Sequence, residues 1–184
     1  MAELIIGGAR SGKSAHAEQL ARQAEAEGLQ VVYLATAQAG DDEMTRRVAH
    51  HRERRPARWP TLEEPLHLAR VLEARATPST CLLVDCLTLW LTNLFFAGQA
   101  ATQAEAGLAL ACPLFQGETE ALLEVLPRLP GRVILVSNEV GWGIVPMERL
   151  SRAFADEQGR LNQRVAAVCE GVTLVAAGLP LRLK

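Results

Sequence analysis

The chain has 184 residues and a net charge of −2, and 49% of its residues are hydrophobic while 22% are charged. This composition is typical of a globular protein with a full core, and it argues against an intrinsically disordered chain. The pI of about 6.1 argues against a protein that coats nucleic acid, and no apolar run approaches the roughly 18 residues of a membrane span.

The hydrophobic pattern predicts short strands that alternate with longer helices. The predicted strands cover residues 4–6, 31–35, 81–85, 132–136, 172–175 and 181–183. The predicted helices cover residues 15–28, about 41–55, 65–75, 87–96, 119–126 and 146–169, the last one bent or interrupted by Gly159. The weak hydrophobic pattern of residues 98–117 predicts an irregular connection or a loosely specified helix. This alternation predicts an α/β fold in a single domain, 1–184, with a mainly parallel central sheet covered by helices on both faces.

The beginning of the chain and the cysteines bear on its location. The residues after Met1 lack the basic region of a secretory signal, so we expect a cytoplasmic protein. In that reducing compartment we expect the cysteines to be buried, reduced thiols, since they form no C-x-x-C pair. The four are Cys81, Cys86, Cys112 and Cys169.

Residues 7–14 match the phosphate-binding pattern G-x-x-x-x-G-K-[S/T] between a predicted strand and a predicted helix. Gly7 and Gly12 let the backbone turn, so that several N–H groups and the start of the helix point at one anion. Lys13 adds a charge near the β- and γ-phosphates, and the Ser14 hydroxyl is expected to bind Mg²⁺. We therefore predict a P-loop NTPase-like three-layer sandwich. The alternative is a glycine-rich turn with a surface lysine, and Arg10 is equally compatible with phosphate contact or with simple solvation.

Asp85 ends the predicted strand at 81–85. In P-loop proteins an acidic residue at such a strand end helps to hold Mg²⁺, directly or through water. The alternative is that Asp85 is only a strand-end residue, or the N-cap of the helix that follows.

Residues 46–55 contain five arginines and two adjacent histidines. The segment is either a solvated helix face or a helix that faces a triphosphate, whose arginines neutralise phosphate oxygens and whose imidazole attacks phosphorus. Adjacent side chains on a helix point about 100° apart, so His50 and His51 cannot easily share one task.

Segments spread over nearly the whole chain resemble one family, the bifunctional adenosylcobinamide kinase / adenosylcobinamide-phosphate guanylyltransferase of cobalamin biosynthesis. The segments that carry the resemblance are 7–14, 33–37, 42–44, 47–59, 61–65, 84–88, 136–146 and 159–163. Residues 98–117 match poorly, which affects only a surface connection.

The resemblance implies two reactions on one chain. Mg²⁺ is the implied cofactor, and GTP or ATP are the implied nucleotide substrates. A nucleoside triphosphate phosphorylates adenosylcobinamide, and GTP then gives GMP to that phosphate through a GMP–histidine intermediate. The family pattern of Arg, aliphatic residue, two residues, His, three residues and Arg selects His51 as the nucleophile, with His50 as the alternative. Lys13 is the third residue with an implied catalytic role.

The resemblance also implies a set of nucleotide-binding residues. They are the loop residues Gly7, Gly8, Ala9, Arg10, Ser11, Gly12, Lys13 and Ser14, followed by Ala35, Thr36, Ala37, Arg52, Glu53, Arg54, Arg55, Glu63 and Asp85. The segment with Asn138, Glu139 and Trp142 is expected to face the corrinoid, although Trp142 is equally compatible with packing or a subunit contact. A homotrimer is implied as well.

Two other functions fit parts of the sequence. A small-molecule P-loop kinase without guanylyl transfer would explain Lys13, Ser14 and Asp85 but would leave the arginine- and histidine-rich segment without a role. A non-catalytic nucleotide-binding regulator would bind nucleotide without turning over a corrinoid.

Overall fold

The computed structural model of the chain describes residues 1–37 and 56–184. In this part of the chain one sheet contains the strands β1 (Ala2–Gly7), β2 (Gln30–Ala35), β3 (Thr61–Glu63), β4 (Thr80–Asp85), β5 (Arg132–Asn138), β6 (Gly171–Ala176) and β7 (Leu179–Arg182). The helices of the same part are α1 (Lys13–Ala26), α2 (Leu68–Arg75), α3 (Leu87–Ala97), α4 (Ala100–Ala106), α5 (Pro113–Val125) and α6 (Arg149–Val168). A 3₁₀ helix, Leu126–Arg128, follows α5. The polar helix predicted at 41–55 lies outside the described residues.

The strands follow the order β3-β2-β4-β5-β1-β6-β7 across the sheet. Every neighbouring pair is parallel except β6 and β7, which form an antiparallel hairpin at one edge. The predicted α/β fold with a mainly parallel sheet is therefore confirmed. Because the strands are parallel, the carboxyl ends of β1, β2, β4 and β5 meet on one side, which is where ligands bind in folds of this kind.

Side chains of the central strands alternate between two hydrophobic clusters, one on each face of the sheet. In β1, Leu4 and Ile6 belong to one cluster, whereas Ile5 between them belongs to the other. Helix α1 covers the second cluster with the small buried residues Ala17, Ala21 and Ala24. These alanines let the helix that begins at the phosphate-binding loop lie close against the sheet.

The region 61–75 differs from the prediction in two ways. The sequence does not predict β3, because its three residues carry no apolar run, and the strand forms by continuing the sheet beside β2. Helix α2 begins at Leu68 instead of at 65. The Glu64 carboxylate accepts hydrogen bonds from the backbone N–H groups of Leu66 and His67 at 3.0 and 2.8 Å. Because of these bonds, the residues before the helix form a turn.

Helix boundaries in the second half of the chain also differ from the prediction. Helix α5 begins at Pro113 rather than at 119, since proline at the first helical position has a backbone angle suited to a helix. Helix α4 occupies part of the segment predicted to be irregular or loosely helical. Helix α6 begins at Arg149 and runs through Gly159 without a break, so the predicted interruption is wrong. One glycine costs a helix only about 1 kcal/mol, and buried contacts along α6 offset it.

No helix within residues 1–37 and 56–184 is long and apolar enough to cross a lipid bilayer. The four cysteines are free and buried, as predicted. Burial raises the pKa of the thiols of Cys81, Cys86 and Cys169 to about 12. Burial acts in the same direction on Cys112, but backbone hydrogen bonds led by that of Phe115 outweigh it and lower the pKa of this thiol.

This difference predicts an order of thiol modification. In the folded protein at about pH 8, iodoacetamide is expected to modify Cys112 before the other three, because all four thiols are similarly buried and the lowered pKa gives Cys112 the largest fraction of the reactive thiolate. Peptide mass spectrometry after timed labelling measures the order, and the unfolded chain, in which all four thiols react, is the control. Equal rates for Cys86 and Cys112 in the folded protein would contradict the prediction.

Candidate active site

The loop between β1 and α1 has the conformation that the phosphate-binding pattern requires. Arg10 and Gly12 have positive φ angles of 56° and 96°. A Cβ atom on Gly12 would lie 3.1 Å from the Cα atom of Gly178, and one on Gly7 would lie 2.4 Å from the carbonyl oxygen of Val175. Both glycines are therefore demanded by the backbone conformation or by a close approach of the β6–β7 hairpin.

Backbone hydrogen bonds hold this loop from two sides. The N–H group of Gly178 donates to the carbonyl oxygen of Ser11 at 2.8 Å, and the N–H group of Glu139 donates to that of Gly7 at 3.0 Å. Within the loop, the N–H group of Ser11 donates to the carbonyl oxygen of Gly8 at 3.2 Å. The β6–β7 turn and the end of β5 thus keep the loop in a binding conformation.

Lys13 is the first residue of α1, and only 8% of it is exposed. Its Nζ atom donates a hydrogen bond to the carbonyl oxygen of Gly8 at 3.1 Å. Burial lowers the pKa of Lys13, while the charge of the Asp85 carboxylate acts in the opposite direction. A buried ammonium lacks the stabilisation that water would give it, so an anion held by the loop would be favourable.

Asp85 is the last residue of β4, two strands from β1. The Tyr33 hydroxyl donates a hydrogen bond to its Oδ2 atom at 2.9 Å. Ser14 lies half-buried in the first turn of α1. A hydroxyl oxygen and a carboxylate oxygen are donors that Mg²⁺ prefers, so the two predicted metal-binding residues fit that ion chemically. The described residues contain no cluster of three or more His, Cys, Asp or Glu that could hold a metal by itself.

Thr36 joins the ends of β2 and β4. Its fully buried hydroxyl donates to the carbonyl oxygen of Cys86 at 2.7 Å and accepts from the backbone N–H of the same residue at 2.9 Å. The Asn93 side chain donates to the carbonyl oxygen of Thr36 at 2.7 Å. Since the hydroxyl already makes two hydrogen bonds inside the protein, a nucleotide contact from residues 35–37 would come from the backbone or from the alanine side chains.

Glu63, a predicted nucleotide-binding residue, lies far from the P-loop along the sheet. It is the exposed last residue of β3, the edge strand, and four strand spacings separate β3 from β1. At the usual spacing of strands this distance is roughly 19 Å, which is too far for Glu63 to contact a phosphate held by the loop.

A buried polar cluster that the sequence analysis did not assign lies under the end of β5. The Ser137 hydroxyl donates to Oδ1 of Asn162 at 2.6 Å, and Nε2 of Gln158 donates to Ser137 Oγ and to Asn162 Oδ1, both at 3.0 Å. The amide nitrogen of Asn162 in turn donates to Oε1 of Glu139 at 2.9 Å. Ser137 and Asn162 lie in segments that resemble the family. This resemblance is the signal by which the sequence could have identified the two residues.

The loop after Glu139 exposes several large apolar side chains. Trp142 is 68% exposed, and neighbouring residues of the same loop are exposed to a similar or greater degree, namely Ile144, Val145 and Met147. Trp142 is therefore not a core residue of this chain. A corrinoid contact or a subunit contact remains from the alternatives that the sequence left open.

A sequence profile of the family described as "Cobinamide kinase / cobinamide phosphate guanyltransferase" matches residues 3–183. The chain belongs to this family. The match confirms the predicted resemblance and shows that the chain is an enzyme of the bifunctional kinase and nucleotidyltransferase type.

Relatives of this cobinamide kinase / guanyltransferase family member match it along all or nearly all of its length. It is 56% identical over 184 residues to the bifunctional adenosylcobalamin biosynthesis protein CobP of Pseudomonas aeruginosa. That match covers 100% of this chain and 98% of the relative. It is 43% identical over 182 residues to the protein CobU of Salmonella typhimurium, and 42% identical over 182 residues to CobU of Escherichia coli. Each of these two matches covers 98% of both chains.

Among solved structures, the family member resembles a prototypical ATPase from the type III secretion system of pathogenic bacteria, with a TM-score of 0.55 and 14% identity. The likeness covers 94% of this chain and half of the ATPase chain. At this identity it concerns the fold alone, and it agrees with the predicted P-loop NTPase-like architecture.

The predicted nucleophile of the cobinamide kinase / guanyltransferase, His51, and the alternative His50 lie outside the described residues. The same holds for the predicted nucleotide-binding residues Arg52, Glu53, Arg54 and Arg55. Directly after them, Arg58 donates two hydrogen bonds of 2.6 Å to the carboxylate of Glu25 on α1, and Trp59 Nε1 donates to the same carboxylate at 3.0 Å. The Arg58 hydrogen bond lowers the pKa of Glu25, which remains ionised at neutral pH. Arg58 and Trp59 are therefore held in a fixed place against the helix that begins at the P-loop.

Proposed function

We propose that the chain catalyses two successive reactions on a corrinoid in the cytoplasm. In the first, ATP or GTP phosphorylates the aminopropanol hydroxyl of adenosylcobinamide. In the second, GTP gives GMP to that phosphate through a GMP–histidine intermediate, which releases pyrophosphate and forms adenosylcobinamide-GDP. The observation that supports this most directly is a formed P-loop with Lys13 buried at its centre, in a chain that matches the family over residues 3–183.

The phosphoryl-transfer step needs positioning and charge stabilisation more than covalent chemistry. Backbone N–H groups of the P-loop and the start of α1 hold the phosphates, and Lys13 neutralises charge that builds up on the transferred group. Ser14 and Asp85 would hold Mg²⁺, which neutralises phosphate charge when it is bound. Tyr33 orients the Asp85 carboxylate for this role through its hydrogen bond.

Guanylyl transfer uses the same triphosphate in a different way. An imidazole nitrogen of His51, or of His50 in the alternative, attacks the α-phosphorus, and pyrophosphate leaves. The arginines Arg52, Arg54 and Arg55 would stabilise the charge on the phosphates, with Glu53 beside them. A nucleotide whose phosphates lie on the P-loop and whose base extends towards β3 would bring the guanine edge to Glu63, where a carboxylate can accept hydrogen bonds.

The family resemblance also supports a homotrimer as a proposal. The exposed apolar loop with Trp142 is a surface of the kind that a corrinoid or a second subunit would cover.

A product assay tests the proposed function. The purified chain is incubated with Mg²⁺, adenosylcobinamide and GTP labelled at either the γ- or the α-phosphate. We expect a γ-labelled corrinoid phosphate first and an α-labelled corrinoid nucleotide later. A γ-labelled product alone would favour a kinase without guanylyl transfer, and nucleotide binding with neither product would favour a regulator.

The proposed metal role of Asp85 predicts an effect on the Mg²⁺ requirement. Asp85→Asn is expected to raise the Mg²⁺ concentration for half-maximal activity by roughly tenfold or more, the usual cost of losing a residue that orients a metal or its water ligands. Folding should change little, because asparagine can still accept the hydrogen bond from Tyr33. A Mg²⁺ titration of both reactions measures the effect, and Asp156→Asn, at an exposed position of α6, is the control. Superimposable titrations for Asp85→Asn and the wild type would show that Asp85 is only a strand-end residue.

A further inference from the structure

Glu139 stands between the two strand ends that build the proposed phosphate and metal sites. It directly follows Asn138, the last residue of β5, whose register partner on β1 is Gly7. On the other side β5 pairs with β4, where Val136 is the partner of Asp85. The N–H group of Glu139 donates to the carbonyl oxygen of Gly7 at 3.0 Å. The residue is therefore attached to the first residue of the P-loop, on the side of Asp85.

The carboxylate of Glu139 is held by one donor. The amide nitrogen of Asn162 donates to its Oε1 atom at 2.9 Å and to the carbonyl oxygen of Asn138 at 3.0 Å. Among the described residues Glu139 makes no other side-chain hydrogen bond or ion pair, and its side chain is half-buried. One carboxylate oxygen is thus fixed, and the other is available to a substrate.

The cluster beneath Glu139 determines which way the Asn162 amide points. Oδ1 of Asn162 accepts hydrogen bonds from Ser137 and from Gln158, so its NH₂ group must face Glu139. Ser137 and Gln158 are fully buried, and Asn162 is 5% exposed. A buried, interconnected polar cluster of this kind fixes geometry, because each of its members limits the rotation of the next.

We propose that the Glu139 carboxylate is the general base of the phosphoryl-transfer step and that Asn162 is its positioning residue. The role rests on the proposed kinase reaction. The substrate hydroxyl oxygen forms a bond to the γ-phosphorus while the bond from that phosphorus to the β–γ bridging oxygen breaks, and the electron pair leaves with the nucleoside diphosphate. The hydroxyl proton passes to Glu139, which later releases it to water.

The other described carboxylates at this end of the sheet suit the role less well. Asp85 accepts a hydrogen bond from Tyr33 and is assigned to Mg²⁺. Glu63 lies on the edge strand β3, roughly 19 Å from β1 by strand spacing. Glu139, in contrast, is attached to the P-loop through its backbone N–H group, which donates to the carbonyl oxygen of Gly7.

The test compares Glu139→Gln with Asn162→Ala. Glutamine keeps an oxygen that accepts from Asn162, so the position is retained while the basic group is lost. We expect the kcat of corrinoid phosphorylation to fall by about 10²–10⁴-fold in Glu139→Gln, the usual contribution of a general base. Asn162→Ala should lower kcat by a smaller factor and leave the KM for nucleotide nearly unchanged. Glu105→Gln, at an exposed position of α4, is the control.

Guanylyl transfer by the same variants separates a chemical role from a structural one. It is measured with chemically prepared corrinoid phosphate and α-labelled GTP, and Glu139→Gln should lower it by a much smaller factor than it lowers corrinoid phosphorylation, since no hydroxyl is deprotonated. A kinase rate within threefold of the wild type would overturn the base role. Loss of both reactions together with a lowered melting temperature would also overturn it, in favour of a structural role. A wild-type chain that does not phosphorylate the corrinoid would instead overturn the proposed function, and this role with it.

Discussion

Lys13→Ala is expected to lower the rates of both reactions by roughly 10²–10³-fold, because each reaction handles a triphosphate bound at the same loop. Such a factor corresponds to removal of one charged contact that becomes stronger in the transition state. The structure adds a reason for a large effect, since Lys13 is only 8% exposed and water cannot readily take the place of its ammonium group. The measurement is the initial rate of each reaction at saturating nucleotide.

The effect of Lys13→Ala should not come from unfolding. Burial lowers the pKa of Lys13 in the folded protein, so the unfolded chain binds the proton more tightly. The free energy of unfolding of the wild type consequently rises with pH between the folded pKa and the ordinary lysine value of 10.5. At neutral pH the variant is expected to be about as stable as the wild type.

The other lysine of the chain provides a matched control for Lys13→Ala. The ammonium of Lys184 binds the carbonyl oxygens of Ala166, Ala167 and Cys169 at the end of α6. Lys184→Ala removes the same charge from a structural position, so its reaction rates per folded molecule should match those of the wild type. Unchanged rates of both reactions in Lys13→Ala would refute a shared P-loop site.

Local patterns made the P-loop predictable from the sequence. Gly7, Gly12 and Lys13 stand at fixed spacings, and the structure shows that close backbone approach and positive φ require glycine there. The apolar strands were predictable for the same reason, since burial on both faces of a parallel sheet favours continuous runs such as that of β4.

Features made by residues far apart in the chain were not predictable. The hydroxyl of Thr36 forms hydrogen bonds with the backbone of Cys86. Strand β3 forms by pairing with β2, which is distant from it in the sequence. The cluster of Ser137 and Asn162 likewise joins β5 to α6 across 25 positions. Nothing local in these segments shows which side chains meet, because the fold brings them together.

His51→Ala is expected to separate the two activities. Phosphorylation of the corrinoid hydroxyl should remain within a few-fold of the wild type, since it needs no enzyme nucleophile. Guanylyl transfer should fall below detection, because it needs a group that attacks the α-phosphorus and later leaves. Imidazole can do both near neutral pH, since the ordinary pKa of histidine is about 6.5. The measurement is corrinoid phosphate and corrinoid nucleotide formed by each variant.

His50→Ala and His67→Ala complete the comparison. His50→Ala tests the alternative nucleophile, and guanylyl transfer lost there but kept in His51→Ala would assign the role to His50. His67 bonds Glu118 through Nδ1 at 2.8 Å on the exposed surface, so His67→Ala should keep both activities. Guanylyl transfer that survives in both His50→Ala and His51→Ala would discard the histidine mechanism.

Retention of covalent label on the wild-type chain tests the two-reaction account most directly. The protein is incubated with Mg²⁺ and with GTP labelled at the α- or the γ-phosphate, without corrinoid, and is then denatured and separated from free nucleotide. We expect label from the α-phosphate only, in a phosphoramidate bond that acid breaks and alkali leaves intact, and we expect it to move to added corrinoid phosphate. Absence of α-label, or α-label in a bond that is stable to acid, would contradict the account.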